Sequence, residues 1–132
     1  MKFGLGTLTI LLIVFASMGC RKKSTAGLGG SNELQLRVRH HEIVLDSIKV
    51  YLKFNAEDAP ANNSEYDITT EVQEVDGKMI AVFEGLKDGD YYVYGYGWDP
   101  YIVDNVEGGF SFELKDETNP ITYDLQVTEA GH

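Results

Sequence analysis

Apolar residues in this chain recur at every second position, and no segment shows the 3.6-residue period of an amphipathic helix. Leu34, Leu36 and Val38 alternate with Gln35, Arg37 and Arg39. Ile48, Val50, Leu52 and Phe54 alternate with Lys49, Tyr51 and Lys53. A period of two places one set of side chains on a buried face and the other toward solvent, which is the mark of a half-buried strand. The stretches "YDITTEVQ", "MIAVFEGL", "YYVYGYGW", "GGFSFELK" and "PITYDLQVTE" continue in strand-forming residues. Between them, "VDGK" supplies the Asp-Gly of a tight hairpin, "KDGD" a second turn, and residues 55–65 a polar loop. Seven short strands with regular turn signals predict an all-β fold, an antiparallel β-sandwich of about seven strands.

One strand is unusual. In "DGDYYVYGYGWDP", Tyr92, Tyr94, Tyr96 and Trp98 share one parity, while Tyr91 and Val93 share the other. Tyrosine joins a flat apolar ring to a hydroxyl and suits surfaces that are both adhesive and wet. A row of them could stack sugar rings or dock a protein. The same row also stabilises a sheet with no ligand, at about 0.2–1 kcal/mol per cross-strand pair. Gly95 and Gly97, on the inner parity, suggest a bulge or a close contact between sheets. Trp98 and Tyr101 flank the following loop, a position where binding residues concentrate.

The chain opens with Lys2, an apolar run from Leu8 to Phe15, and small residues before Cys20. The run is too short for a permanent span of ~20 residues and has the layout of an export signal. It resembles a bacterial lipoprotein signal, which implies that residues 1–19 are removed and that Cys20 carries the lipid. Cys20 is the only cysteine, so it cannot close an internal disulfide, and lipidation accounts for it. Residues 20–32, basic and then rich in glycine and serine, are expected to form a flexible tether, with the β-sandwich domain over 33–132. Each buried methylene of a lipid chain adds ~0.8 kcal/mol, so acyl chains hold the protein without a transmembrane helix.

All 21 acidic residues follow the tether, against seven basic ones, leaving the domain near −14 where the whole chain is −10. Such a surface repels nucleic acid and anionic lipid. Arg21, Lys22 and Lys23 are placed instead to meet lipid headgroups.

The stretch "VDGKMIAVFEGLKDGDYYVYGYG" resembles the hairpin of transthyretin-like, or carboxypeptidase-regulatory-like, domains, through Asp76, Gly77, Phe83, Gly85, Leu86, Gly89 and Tyr91. With "DSIKVYLKF" and the closing "VTEAGH", residues 34–129 look like small lipoproteins of this fold found in Bacteroidota. The resemblance implies a transthyretin-like (prealbumin-like) sandwich in which Phe83 and Tyr91 face the core. Alternation then turns Met79 and Ala81 inward, and Ile80, Val82, Tyr51, Tyr92, Tyr94 and Tyr96 outward.

No catalytic set emerges. Ser31, Ser47, Ser64 and Ser111 lie in no nucleophile-elbow context, and no carboxylate is visibly paired with a histidine base. His40 and His41 are adjacent, so on an extended strand their side chains diverge; the resemblance to those lipoproteins, where adjacent histidines mark the turn into the next strand, implies the same here. Asp99, Asp104, Asn105 and Glu107 offer oxygen ligands but match no calcium loop. The expectation is therefore no metal, no cofactor and no enzymatic activity. The sequence points to a lipid-anchored module of the cell envelope that binds an envelope protein through Tyr92, Tyr94, Tyr96, Trp98 and Tyr101. The alternative is a carbohydrate-binding lipoprotein of a glycan uptake system. In the lipoproteins that the chain resembles, surface export usually follows an acidic stretch after the cysteine; Arg21, Lys22 and Lys23 stand there instead, which implies an outer membrane location facing the periplasm.

Overall fold

The computed structural model describes residues 25–115 and 119–131. The signal segment, Cys20, Arg21–Lys23 and His132 lie outside them. Ten strands run in order: β1 Leu28–His40, β2 Ile43–Val44, β3 Ser47–Phe54, β4 Ile68–Glu71, β5 Gln73–Val75, β6 Lys78–Leu86, β7 Gly89–Asp99, β8 Asp104–Leu114, β9 Ile121–Gln126 and β10 Thr128–Glu129. They form two packed sheets, an all-β sandwich. Seven strands exceed three residues and correspond to the seven expected; β2, β5 and β10 are short additions.

In the first sheet β1 is central. Leu34 pairs with Phe83 of β6 on one side and Ile121 of β9 on the other. The β1–β9 pair is parallel, so the sandwich is not purely antiparallel. The second sheet runs β10-β8-β7-β3-β4 and is antiparallel throughout.

Two segments that read as single strands change sheets partway. "YDITTEVQ" splits at Val72 into β4 of the second sheet and β5 of the first, and "PITYDLQVTE" splits at Val127 into β9 and β10. Both valines are buried, and their amides bond across to Ile48 O at 3.1 Å and Arg39 O at 2.9 Å. A chain that crosses at each side links the two sheets and leaves only short strands at the edges of the second. Short edges resist pairing with other chains.

The core is a continuous apolar cluster in which Tyr91 is the largest fully buried side chain. Its ring stacks on Phe112 at 5.6 Å. Its hydroxyl donates to Lys87 O at 2.6 Å and accepts from the Gly27 amide at 3.0 Å, which satisfies a polar group that would be costly to bury alone. Gly95 gives the second sheet its close approach: a Cβ there would lie 2.8 Å from Leu125 Cδ2 of the first sheet. Asp76 (φ 51°) and Gly77 (φ 80°) both take the left-handed backbone that the predicted β5–β6 hairpin turn requires.

Two expectations need refinement. Ile80 is 5% exposed although its parity is outward; it lies beside Gln35, Arg37 and Val82 on the outer side of the first sheet, apart from the main core. The expected tether ends earlier than its composition suggests, because β1 begins at Leu28. The glycines there allow contact between backbones: a Cβ on Gly30 would lie 2.3 Å from Leu86 O.

Candidate interaction surface

At ~3.3 Å per residue, β7 carries the chain roughly 33 Å from one end of the sandwich to the other. Thr25, the first described residue, bonds to Asp88 O beside the start of β7, so the chain enters at this end. A cleft of about 590 Å³ there is bordered by Glu57, Asp88, Asp90 and Glu113, with Lys115 the cation among them. The far end holds the end of β1, the β7–β8 hairpin and β10.

Register builds the outer face of the second sheet row by row. Tyr92 lies between Lys53 and Ser111, Tyr94 between Tyr51 and Gly109, Tyr96 between Lys49 and Glu107, and Trp98 between Ser47 and Asn105. The predicted parity holds: Tyr91 and Val93 are fully buried, and the alternate rings face out.

The row is not uniform. Tyr66, read from sequence as the start of a strand but lying before β4, stacks on Tyr94 at 5.8 Å and 13° and meets Tyr51 at 5.4 Å. The Tyr94 hydroxyl donates to Glu107 Oε1 at 2.7 Å. Tyr92 lies across Gly109, where a Cβ would sit 2.7 Å from its hydroxyl. Burial, reinforced by the neighbouring Tyr92 and Tyr51, pushes the Tyr66 phenol up to about 12. Burial and then Glu107 push Tyr94 up as well, and burial with Asp58 does so for Tyr92. These phenols therefore stay protonated near neutral pH. Tyr92 and Tyr94 are half-buried, engaged largely with the protein's own loop and strands.

The exposed apolar surface lies further along. Tyr96 is 37% exposed, Trp98 42%, Tyr101 73% and Val103 70%. Ile102 on the same hairpin, and Ile43 and Val44 after the β1 turn, are exposed too. Sequence reasoning singled out Tyr96, Trp98 and Tyr101 but missed the four aliphatic neighbours; for Ile102 and Val103, "YIV", an apolar run inside a turn, was the available signal.

Asp99 organises this hairpin from below. It is 1% exposed, its Oδ1 accepts the Tyr101 amide at 2.8 Å, and its carbonyl accepts the Val103 amide at 2.9 Å. Its Oδ2 lies 2.6 Å from His40 Nδ1, and His40 is 3% exposed. Burial pushes the Asp99 carboxyl up, but His40 and the amides of Tyr101 and Ile102 outweigh it and hold the group below the usual carboxylate range. A carboxylate is thus paired with a histidine, contrary to expectation, across 59 residues of sequence. The two histidine side chains do not diverge: His41 has φ 58°, and the rings lie 4.4 Å apart. They do mark a turn, as expected.

The remaining oxygen donors are engaged separately. Asp104 caps the Asn105 amide, and Glu107 accepts from Tyr94 and the Gly131 amide, which hold its carboxyl low. Among the described residues, no group of three or more histidine, cysteine, aspartate or glutamate side chains is arranged to hold a metal. Val103 has φ 55°, a left-handed conformation that costs a β-branched residue about 1–3 kcal/mol. The strained residue is thus also one of the most exposed apolar ones.

No family model matches the chain, and neither a characterised protein nor a solved structure matches it. Among the described residues no helix is long and apolar enough to cross a membrane.

Proposed function

We propose that this protein is a non-catalytic, lipid-anchored module of the cell envelope that engages a protein partner through its far end. Cys20 is the lipid attachment point, and the domain stands on the periplasmic side of an outer membrane. Chain entry at the acidic end supports this arrangement, because it directs the opposite end away from the bilayer. The observation that carries the reading is the set Trp98, Tyr101, Ile102 and Val103, exposed together on a hairpin braced by buried Asp99. Aromatic anchors on a pre-organised turn lose little entropy on contact, which is how a small surface gains affinity. The likeness to transthyretin-like lipoproteins agrees with an accessory role. The His40–Asp99 pair does not supply an accessible base, since His40 Nε2 is sealed from solvent.

The contact centre shifts relative to the sequence expectation. Tyr92 and Tyr94 support the surface from within, while Tyr96, Trp98 and Tyr101 meet the partner. A carbohydrate reading would hydrogen-bond sugar hydroxyls through Asp99 or Asp104 beside the aromatic row, and Asp99 is buried out of reach of them. Detergent-extracted lipoprotein, immobilised and exposed to solubilised envelope proteins and to a glycan array, tests the reading. One stoichiometric protein retained by the native chain and lost on Trp98→Ala supports it. Saturable glycan binding with no retained protein would replace it with the carbohydrate reading.

A further inference from the structure

His40 stands between two carboxylates on different strands. Nδ1 faces Asp99 Oδ2 of β7 at 2.6 Å, and Nε2 faces Glu129 Oε2 of β10 at 3.6 Å. Asp99 also accepts backbone amides, so as an ionised carboxylate it is acceptor only. The proton between it and His40 therefore sits on Nδ1. In the neutral ring, Nε2 then presents a lone pair to a second anion, buried and with no hydrogen-bond partner. In the charged ring the same nitrogen becomes a donor aimed at Glu129. The contact is repulsive in one protonation state and attractive in the other.

The element that feels this is weakly held. β10 has two residues, paired as Thr128 with Glu107 and Glu129 with Val106. The Glu129 side chain is 52% exposed. The other titratable groups nearby do not take over its role. His41 lies tilted against His40 from the turn, and Asp104, opposite Asp99 on β8, caps the Asn105 amide. Arg39 turns to Glu42 and Asp124.

We propose that His40 is a proton-operated latch: its protonation fastens β10, and with it the C-terminal edge of the exposed far end, through Nε2–H donation to Glu129. Lower pH can only add protons to the ring, so acid fastens the strand and base loosens it. The latch stands on this geometry. Only its consequence, tighter presentation of the hairpin to a partner at acidic pH, rests on the function proposed above.

Amide hydrogen exchange by NMR on the full mature chain in detergent, with a chelator present, tests it. The Ala130 amide, bonded to Asn105 O, reports on the β10 edge, and the Val72 amide at the opposite sheet crossing is the internal reference. After correction for intrinsic rates, Ala130 protection relative to Val72 should fall about tenfold between pH ~5.5 and ~7.5, the worth of a hydrogen bond to a charged group. Glu129→Gln should abolish that dependence and keep the strand protected at the higher pH, because a Gln amide can donate to neutral Nε2. An equal pH response in the native chain and in Glu129→Gln, no response in either, or a response that appears only when zinc replaces the chelator would overturn the latch. None of these outcomes involves a partner, so a failed latch leaves the partner-capture test standing, and a failed capture leaves the latch standing.

Discussion

The two ends of this sandwich use acidic residues in opposite ways. At the end where the chain enters, Glu57, Asp88, Asp90 and Glu113 border an open cleft, and the exposed large aliphatic side chain nearby is Leu28. At the far end the principal acid, Asp99, is buried, and the apolar side chains are outside. Exposed acids remain at the far end too, Glu42 at 95% and Glu129 at 52%, so the contrast lies in the one buried acid and the apolar side chains around it. Exposing Trp98, Tyr101, Ile102 and Val103 while burying a carboxylate beneath them carries a cost in solvation and strain, and a contact surface is the account that explains it.

Substitution can break this contrast. Asp99→Ala removes the acid from a buried pair and from two loop amides, leaving His40 without its partner. It should destabilise the fold by about 3–5 kcal/mol in chemical denaturation, whereas Glu57→Ala at the other end should change stability by less than about 0.5 kcal/mol. Equal effects would mean that the ends do not differ as described. Trp98→Ala should leave stability nearly unchanged and weaken partner binding about 30-fold or more, the loss expected of a central aromatic anchor, read by titration calorimetry.

A smaller effect sharpens the middle of the molecule. Glu107, Asp99 and Asp124 all have native pKa values held low, Glu107 by Tyr94 and the Gly131 amide, Asp99 chiefly by His40, Asp124 by Arg37. Groups depressed in the folded state stabilise it above their unfolded pKa, near 4, and lose that contribution as pH falls through the folded value. The thermal midpoint should therefore drop below pH ~4. Tyr94→Phe should cost about 1 kcal/mol at neutral pH and shrink this acid dependence. Smallest of all, Val103→Asn should raise stability by up to about 1 kcal/mol, because Asn tolerates the left-handed backbone, while weakening partner binding. A variant that lost stability would remove the argument from strain.

The alternation of side chains was legible because it is local: Leu34, Leu36 and Val38 against their neighbours, or Tyr91 against Tyr92, need only their own strand to fall on opposite faces, and the family resemblance chose the face that Tyr91 buries. Three things were not local. The sheet crossings at Val72 and Val127 keep the strand-like pattern on both sides, so nothing in composition marks the change of partner. Tyr66, which reads as the first residue of the strand "YDITTEVQ", lies before β4 and stacks on Tyr94, so that Tyr94 becomes supporting structure. The His40–Asp99 pair joins residues 59 positions apart, and only the folded topology brings them together. Glycines misled for a related reason. In residues 27–30 they suggested flexibility, whereas Gly30 is required for close backbone packing.

Site-specific photo-cross-linking in intact cells tests the contrast between the ends most directly. A benzophenone amino acid in place of Tyr101, and separately in place of Glu57, is compared after irradiation and membrane isolation. A discrete protein adduct from position 101 and none from position 57 is the predicted result. An adduct from position 57 alone would place the contact surface at the anchored end and contradict the account.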